Sequence, residues 1–259
     1  MVHPPYGVLR TVTPTASVLL QENPGAMTLD GTNTWILRAP GEGACVVVDP
    51  GHEDVEHLTR VAQCAPVALI LLTHRHIHHV EGAPWLAERT GAPIRAFDQA
   101  LCRGGEPLAD AEMIAAAGLE IQVLHTPGHT DDSVCLKLDD AVLTGDSIVG
   151  RGTTMVSSLG DYLDSLNLLA TIPRAVVLPG HGEELPDVAT VANEYLAHRE
   201  GRLAQVRDAL VQLGPDASAR QVVELVYADV GKDLWGPAER SVQAQLEYLG
   251  SLNRMTGPE

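Results

Sequence analysis

From about residue 17 to residue 185 the chain alternates short β-rich runs with stretches whose apolar positions recur every three or four residues. TWILRA, ACVVVD, VALILLT, PIRAF, LEIQVLHT, VCLKL, AVLTG and AVVLPG read as strands, being brief, rich in branched side chains and bounded by turn formers. DVEHLTRVAQC, APWLAERTG and DYLDSLNLLATI carry the helical period. Several strand runs are unbroken apolar stretches rather than alternating ones, which predicts sheets covered on both faces. The pattern is that of an α/β domain with helices as outer layers. No solenoid-type repeat and no low-complexity tract interrupts it.

Past Pro186 the texture turns all-helical. One long helix is predicted over 187–212, ending at Gly214 and Pro215. SARQVVELVY follows, with Ser218 and Gln221 spaced as a capping box. A third helix begins near Pro237, with Val242, Leu246 and Leu249 on one face. The division predicted is therefore a main domain over 1–186 and a small helical domain over 187–259. Three short helices in this order resemble a winged-helix core, yet acidic residues outnumber basic ones there, which argues against a DNA partner. Packing on the main domain, covering part of a pocket, or a homodimer contact are the plainer roles.

Composition sharpens this picture. The 259 residues are 45% hydrophobic but only 3% aromatic, so the core must be built from Val, Leu, Ile and Ala. A net charge of −17 lacks the basic field that phosphate neutralisation demands, and it favours small or neutral substrates over nucleic acid. Cys45, Cys64, Cys102 and Cys135 show no paired spacing and read as reduced thiols. MVHPPYGVLR has no basic stretch leading into an apolar core, and no apolar run reaches the roughly 18 residues of a membrane span. A cytoplasmic location without a membrane partner is expected.

The chemistry is concentrated in LILLTHRHIHHVEGA, which holds His74, His76, His78 and His79. Four segments share its form, an apolar strand followed by a metal-capable side chain: VALILLT leads to His74, IQVLHTPG to His129, AVLTG to Asp146 and AVVLPG to His181. Ligands of α/β sheets bind beyond the carboxyl ends of strands. Gly128, Gly145 and Gly180 stand immediately before three of these residues, where they permit unusual turns or close approach. A lone histidine after a strand is more often a polar cap. Four repeats of the arrangement, one with a His-x-His pair projecting from one face, point to a metal site suited to zinc.

THRHIHHVEGA, TPGHT, LTGD and LPGHG resemble the successive metal motifs of the metallo-β-lactamase superfamily. NPGAMTLDGTNTWIL, VVVDPG, TPGHTDDSV, TGDSIVGRGTT, DYLDSL and HRE are similar to its β-lactamase-like protein 2 group, whose members carry a small winged-helix-like C-terminal domain. The resemblance implies an αββα sandwich with its metals at one edge. It implies that His74, His76 and His129 hold a first metal, that His79 and His181 hold a second, and that Asp146 bridges both. It also implies that Asp49 orients metal-site groups, a role that competes with capping the next turn, and that Asn33 and Arg151 contact substrate. One or two Zn2+ are expected, with Mn2+ or Fe2+ as alternatives.

Position 78 departs from the pattern, because His-x-His-x-Asp-His becomes His-x-His-x-His-His. An aspartate there would ligate the second metal and handle a proton. His78 either takes over as a ligand, swings away and leaves the second site weak, or marks a degenerate or substituted relative. The expected activity is zinc-dependent hydrolysis by a metal-bound hydroxide at an ester or thioester bond of a small molecule, slowed by His78, with His78 and Asp146 as catalytic residues. No Gly-x-Ser-x-Gly elbow suggests a covalent nucleophile. Cleavage of single-stranded RNA and a non-catalytic metal-binding role are the alternatives. Aromatics for base stacking are scarce, against the first.

Overall fold

Strand pairing in the computed structural model, which describes residues 5–228, 231–232 and 235–256, sorts the β-structure into two sheets. The first runs β1 (Arg10–Thr11), β2 (Ala16–Leu20), β3 (Asn33–Leu37), β4 (Cys45–Val48), β5 (Val67–Leu71) and β6 (Ile94–Arg95). The second runs from β7 (Met113–Ala116) through β8 (Leu119–His125), β9 (Val134–Lys137) and β10 (Ala141–Gly145) to β11 (Val176–Pro179). Each begins antiparallel and ends parallel: β4, β5 and β6 share a direction, as do β10 and β11.

Parallel neighbours need crossovers, and helices supply them. Helix α1 (Val55–Ala62) joins β4 to β5, α2 (Ile77–Val80) and α3 (Ala83–Thr90) join β5 to β6, and α4 (Leu159–Ala170) joins β10 to β11. The carboxyl ends of β4, β5, β10 and β11 therefore emit loops, and those loops carry Asp49, His74, Asp146 and His181.

Alternation along the strands makes three cores. Trp35, Leu37, Val46, Val48 and Leu71 face Ile121, Val123, Leu136, Leu143 and Leu178 between the sheets. Ile36, Val47 and Ile70 point the other way, against Val61 of α1 and Leu86 of α3. On the second sheet's outer face, Cys135, Val142 and Val177 meet Tyr162, Leu166 and Leu169 of α4. The layers are α-β-β-α, which is why the strand runs were apolar on both faces. The Trp35 indole N–H donates to the Pro179 carbonyl at 3.0 Å and ties the sheets together near the rim.

The third core continues into α5 (Val188–Leu213), α6 (Ala219–Val226) and α7 (Trp235–Thr256) through Val206, Val222, Val223, Val242 and Leu249. Among the described residues this C-terminal piece is all helix. Helix α6 starts with the expected reciprocal bonds between Ser218 and Gln221. Helix α7 begins at Trp235, two residues before Pro237, since proline is tolerated in a first turn. The sequence reading omits β1, β2, β7 and α2: two are exposed edge strands, and α2 is four residues long, too short to show a period. Among the described residues no helix is long and apolar enough to cross a membrane.

Candidate metal centre

Two clusters of ring nitrogens meet at the rim. His74 Nε2 and His129 Nε2 each lie 3.0 Å from His76 Nδ1. His79 Nε2 and His181 Nε2 lie 3.2 Å apart. The Asp146 carboxylate stands between them, with Oδ2 3.9 Å from His74 Nε2 and 3.6 Å from His129 Nε2. Its other oxygen, Oδ1, is 3.5 Å from His79 Nε2 and 3.4 Å from His181 Nε2. His78 Nε2 is 3.9 Å from Oδ2, too far for a hydrogen bond. Two four-residue groups can each enclose a cation: His74, His76, His78 and Asp146, and His78, His79, Asp146 and His181.

Local structure explains the convergence. His76 has extended backbone just ahead of α2, so His78 and His79 follow on the first turn of that helix. Gly128, at φ +132°, lets the loop after β8 turn His129 inward. At Gly180 space matters instead: a Cβ there would fall 2.7 Å from both Asp146 Oδ1 and His79 Cε1. Only a hydrogen lets the end of β11 come this close.

The nitrogens turned away from the centre are held. His129 Nδ1 donates to the Met155 carbonyl at 2.7 Å and His181 Nδ1 to the Gly31 carbonyl at 2.9 Å. His79 Nδ1 donates to Asp49 Oδ2 at 2.8 Å. The Thr73 hydroxyl donates to Asp49 Oδ2 at 2.6 Å and is left to accept from His74 Nδ1 at 3.0 Å. Because carbonyls only accept, His129 and His181 are fixed as the tautomer with a lone pair on Nε2.

Electrostatics follow from burial and mutual contact. Burial, then the neighbouring His79, pushes His74 well below the usual imidazole range. Burial and His129 bring His76 down to about 4. His129 and His78 are lowered chiefly by burial as well. His79 is the exception: burial opposes its charge, but Asp49 and Asp146 on either side raise it to about 10. Asp146 is disfavoured by burial, yet His181 and His79 hold it well below the usual carboxylate range.

The residues fit a metal pair. His78 Nε2 and Asp146 Oδ1 are buried polar atoms without hydrogen-bond partners, and such orphans are rare unless an ion or water completes them. Imidazole nitrogens around one carboxylate are a borderline donor set, suited to zinc or iron.

Asn33, Arg151 and the other described polar residues around these motifs stand outside the two clusters. Asn33 is buried on β3, and its amide donates to the carbonyls of Pro179 at 3.0 Å and Gly182 at 2.8 Å. Both its N–H bonds are committed, which braces the β11 loop. Arg151 forks onto Asp30 at 2.8 and 2.9 Å, at the surface. Thr130 and Asp132 close a turn at 2.6 Å, and Asp131 pairs with Arg75. His52 approaches His78, with ring centroids 6.3 Å apart, but its Nδ1 bonds Glu81. His125 stacks on Phe97. His3 lies outside the described residues. The sequence reading missed Thr73, Met155 and Gly31; a hydroxyl directly before His74 was a visible signal, whereas backbone carbonyls leave none.

A cleft of about 600 Å3 opens beside His76 and His129. Met27, Met155 and Val156 give it apolar surface, and Arg240, Gln243 and Glu247 of α7 also line it. Helix α7 thus borders the approach to the centre.

Comparison with known proteins agrees with this geometry. The pattern described as the metallo-beta-lactamase superfamily matches residues 27–113 and 108–181, and that of the beta-lactamase associated winged helix domain matches residues 218–254. A beta-lactamase-like protein 2 homolog from Drosophila melanogaster is 35% identical over 250 residues, 88% of this chain and 85% of that protein. A beta-lactamase domain protein from Burkholderia ambifaria has the same fold, with a TM-score of 0.82, 23% identity and coverage of 96% of this chain and 90% of its own. A flavo di-iron protein from Thermotoga maritima matches more loosely, at a TM-score of 0.61 and 15% identity over 80% of this chain and 71% of its own. Fold, donor set and sequence agree that the chain belongs to the metallo-β-lactamase superfamily, with that superfamily's associated winged-helix domain at its C-terminal end.

Proposed function

We propose that the chain is a zinc-dependent hydrolase acting on an ester or thioester bond of a small molecule. The observation that carries this reading is the Asp146 carboxylate spanning two clusters of inward-turned imidazole nitrogens. His74, His76 and His129 would hold one ion, and His78, His79 and His181 the other, with Asp146 shared. Bound there, divalent cations supply a nucleophile from water and draw charge off the scissile oxygen.

The remaining tasks fall to the chain. Asp49 keeps His79 in register through its Nδ1–H. Asp146 contributes the one negative charge among the seven inward groups. His78 offers a lone pair without a charge, so the second site is less neutralised than an aspartate would leave it. The cleft suits an acyl group against Met27, Met155 and Val156, with polar contacts from Arg240 and Gln243. In this reading residues 1–186 form the catalytic unit, and 187–259 are the helical cap, in a cytoplasmic protein.

The test is an assay of metal-loaded protein against acyl thioesters, aryl esters, single-stranded RNA and nitrocefin, with and without a chelator. Chelator-sensitive turnover of the esters or thioesters is expected. Turnover that survives chelation rejects the metal reading. RNA cleavage alone moves the substrate class to nucleic acid, and silence on every substrate with metal retained favours a binding role.

A further inference from the structure

Behind the wall of the substrate cleft lies a second chamber of about 240 Å3. The 153–156 segment forms one side, His198, Arg199 and Arg202 of α5 another, and Ser241 of α7 a third. Among the described residues no carboxylate lines it. In a chain with a net charge of −17, two arginines facing one cavity without an acid are an anomaly that asks for a cause. Among the described residues neither Arg199 nor Arg202 has a carboxylate within salt-bridge distance, although seven other arginines do.

Arg199 makes the case specific. It is only 5% exposed. One guanidinium nitrogen donates to the Thr154 carbonyl at 2.6 Å, and the group lies over the Tyr162 ring, 5.1 Å from its centroid. Its Nε is buried with no partner. A buried guanidinium without a counter-ion is costly, and an anion in the chamber would supply the missing charge. Arg202 is positioned beside it over the Tyr227 ring, at 5.0 Å, with one nitrogen held by Gln205 at 2.9 Å.

We infer that this chamber binds a small phosphate-type dianion, held by Arg199 and Arg202 with the hydroxyls of Thr153 and Ser241. Forked guanidinium donors on one side and hydroxyls on the others match a compact tetrahedral oxyanion. His198 fits the same account: burial and the adjoining Arg199 and Arg202 lower its proton affinity, as expected of a cationic chamber. The site uses His198 and Arg199 of the HRE stretch, which the metal centre leaves idle. It also touches the centre indirectly, because Thr154 and Met155 contact His129 Nδ1 at 3.1 and 2.7 Å. An occupied chamber therefore stiffens the segment that orients a ring of the centre. None of this depends on whether the centre hydrolyses esters.

The experiment is calorimetric titration of inorganic phosphate into the full-length chain, both metal-loaded and after chelation. Phosphate bound to metals disappears on chelation, so the predicted signal is the event that survives it, at one per chain. Arg202→Gln and Ala238→Glu are each expected to weaken that event by roughly tenfold or more, the latter by placing a carboxylate at the cavity wall with both arginines intact. Unchanged thermal midpoints confirm folding. A parallel titration with phenyl phosphate separates the sources: equal binding identifies the phosphate of a larger molecule, and preference for inorganic phosphate identifies the free anion. No binding after chelation, or full affinity retained in either variant, overturns the inference.

Discussion

Asp49→Asn is the sharpest probe of the centre's design. Asp49 is fully buried at the end of β4, in left-handed backbone with φ 52°. Asparagine tolerates that conformation nearly as well as aspartate, so the substitution leaves the turn intact and removes only charge and one acceptor. The carboxylate accepts from the Thr73 N–H at 2.8 Å, the Thr73 hydroxyl at 2.6 Å and His79 Nδ1 at 2.8 Å. An amide can satisfy only part of this, because its NH2 must face at least one of three donors. Losing a hydrogen bond to a charged group and creating an opposed donor costs the metal-free fold about 2–4 kcal/mol. His79 loses the partner that makes its far nitrogen basic, which weakens metal binding about 10–100-fold, or about 1.4–2.8 kcal/mol. The assay is competition against a chelator of known affinity, with ions per chain counted at each step, alongside thermal unfolding of the chelated protein. The second ion is expected to leave first. A folded variant that binds both ions with wild-type affinity would refute the claim that Asp49 works through His79.

His78→Asp should increase retention of the second ion by about tenfold and raise turnover with it, because it adds a charged ligand to a site with one carboxylate; ion counts and initial rates measured together check this, and no gain in either contradicts it. Gly180→Ala should expel the second ion, since its Cβ must push Asp146 Oδ1 or His79 aside from 2.7 Å, while the first ion stays; a variant holding two ions would show that β11 can retreat. His57 gives a pH prediction remote from catalysis. Burial pushes it down to about 4 against the weaker pull of Asp54, and it sits 2.9 Å from the Thr34 hydroxyl. The unfolded chain binds this proton from about pH 6.5 downward and the folded chain only near 4, so its stabilising share is full above 6.5 and falls by about 2–3 kcal/mol towards 4. Denaturant unfolding of wild type and His57→Gln across that range should show the difference closing as pH falls; parallel curves would count against it.

The strand runs were legible because burial on both faces leaves unbroken apolar stretches, and VVVD, LILLT, AVLTG and VVLPG fall on four parallel strands of the two sheets. The gathering of His74, Asp146 and His181 at one rim has a related reason: a parallel pair sends its loops to one rim, so a polar residue directly after such a strand has few other places to go. GTNTW places a polar side chain in a strand facing the rim, and only coordinates reveal that two carbonyls of the β11 loop take both N–H groups of Asn33. The supports at Gly31 and Met155 were invisible in principle, since any residue supplies a carbonyl. The chamber at Arg199 needed α5, the 153–156 segment and α7 brought together, three segments with no shared motif.

The supporting hydrogen bonds divide the six rings into two classes, and the division explains why position 78 could change. His74, His79, His129 and His181 are braced from behind by Thr73, Asp49, Met155 and Gly31. Among the described residues no such bond braces His76 or His78. His76 lines the cleft, and the His78 side chain, at 13% exposure, is the more open of the rings facing Asp146. His74, His79 and His181 are almost fully buried, whereas His129 lines the cleft beside His76. Replacing a braced ligand would strand a buried partner, at the cost of an unsatisfied hydrogen-bonding group. Replacing the residue at 78 breaks no such brace, so the fold tolerates either a charged or a neutral group there, and because His78 belongs to both candidate cation groups the consequence falls on the pair.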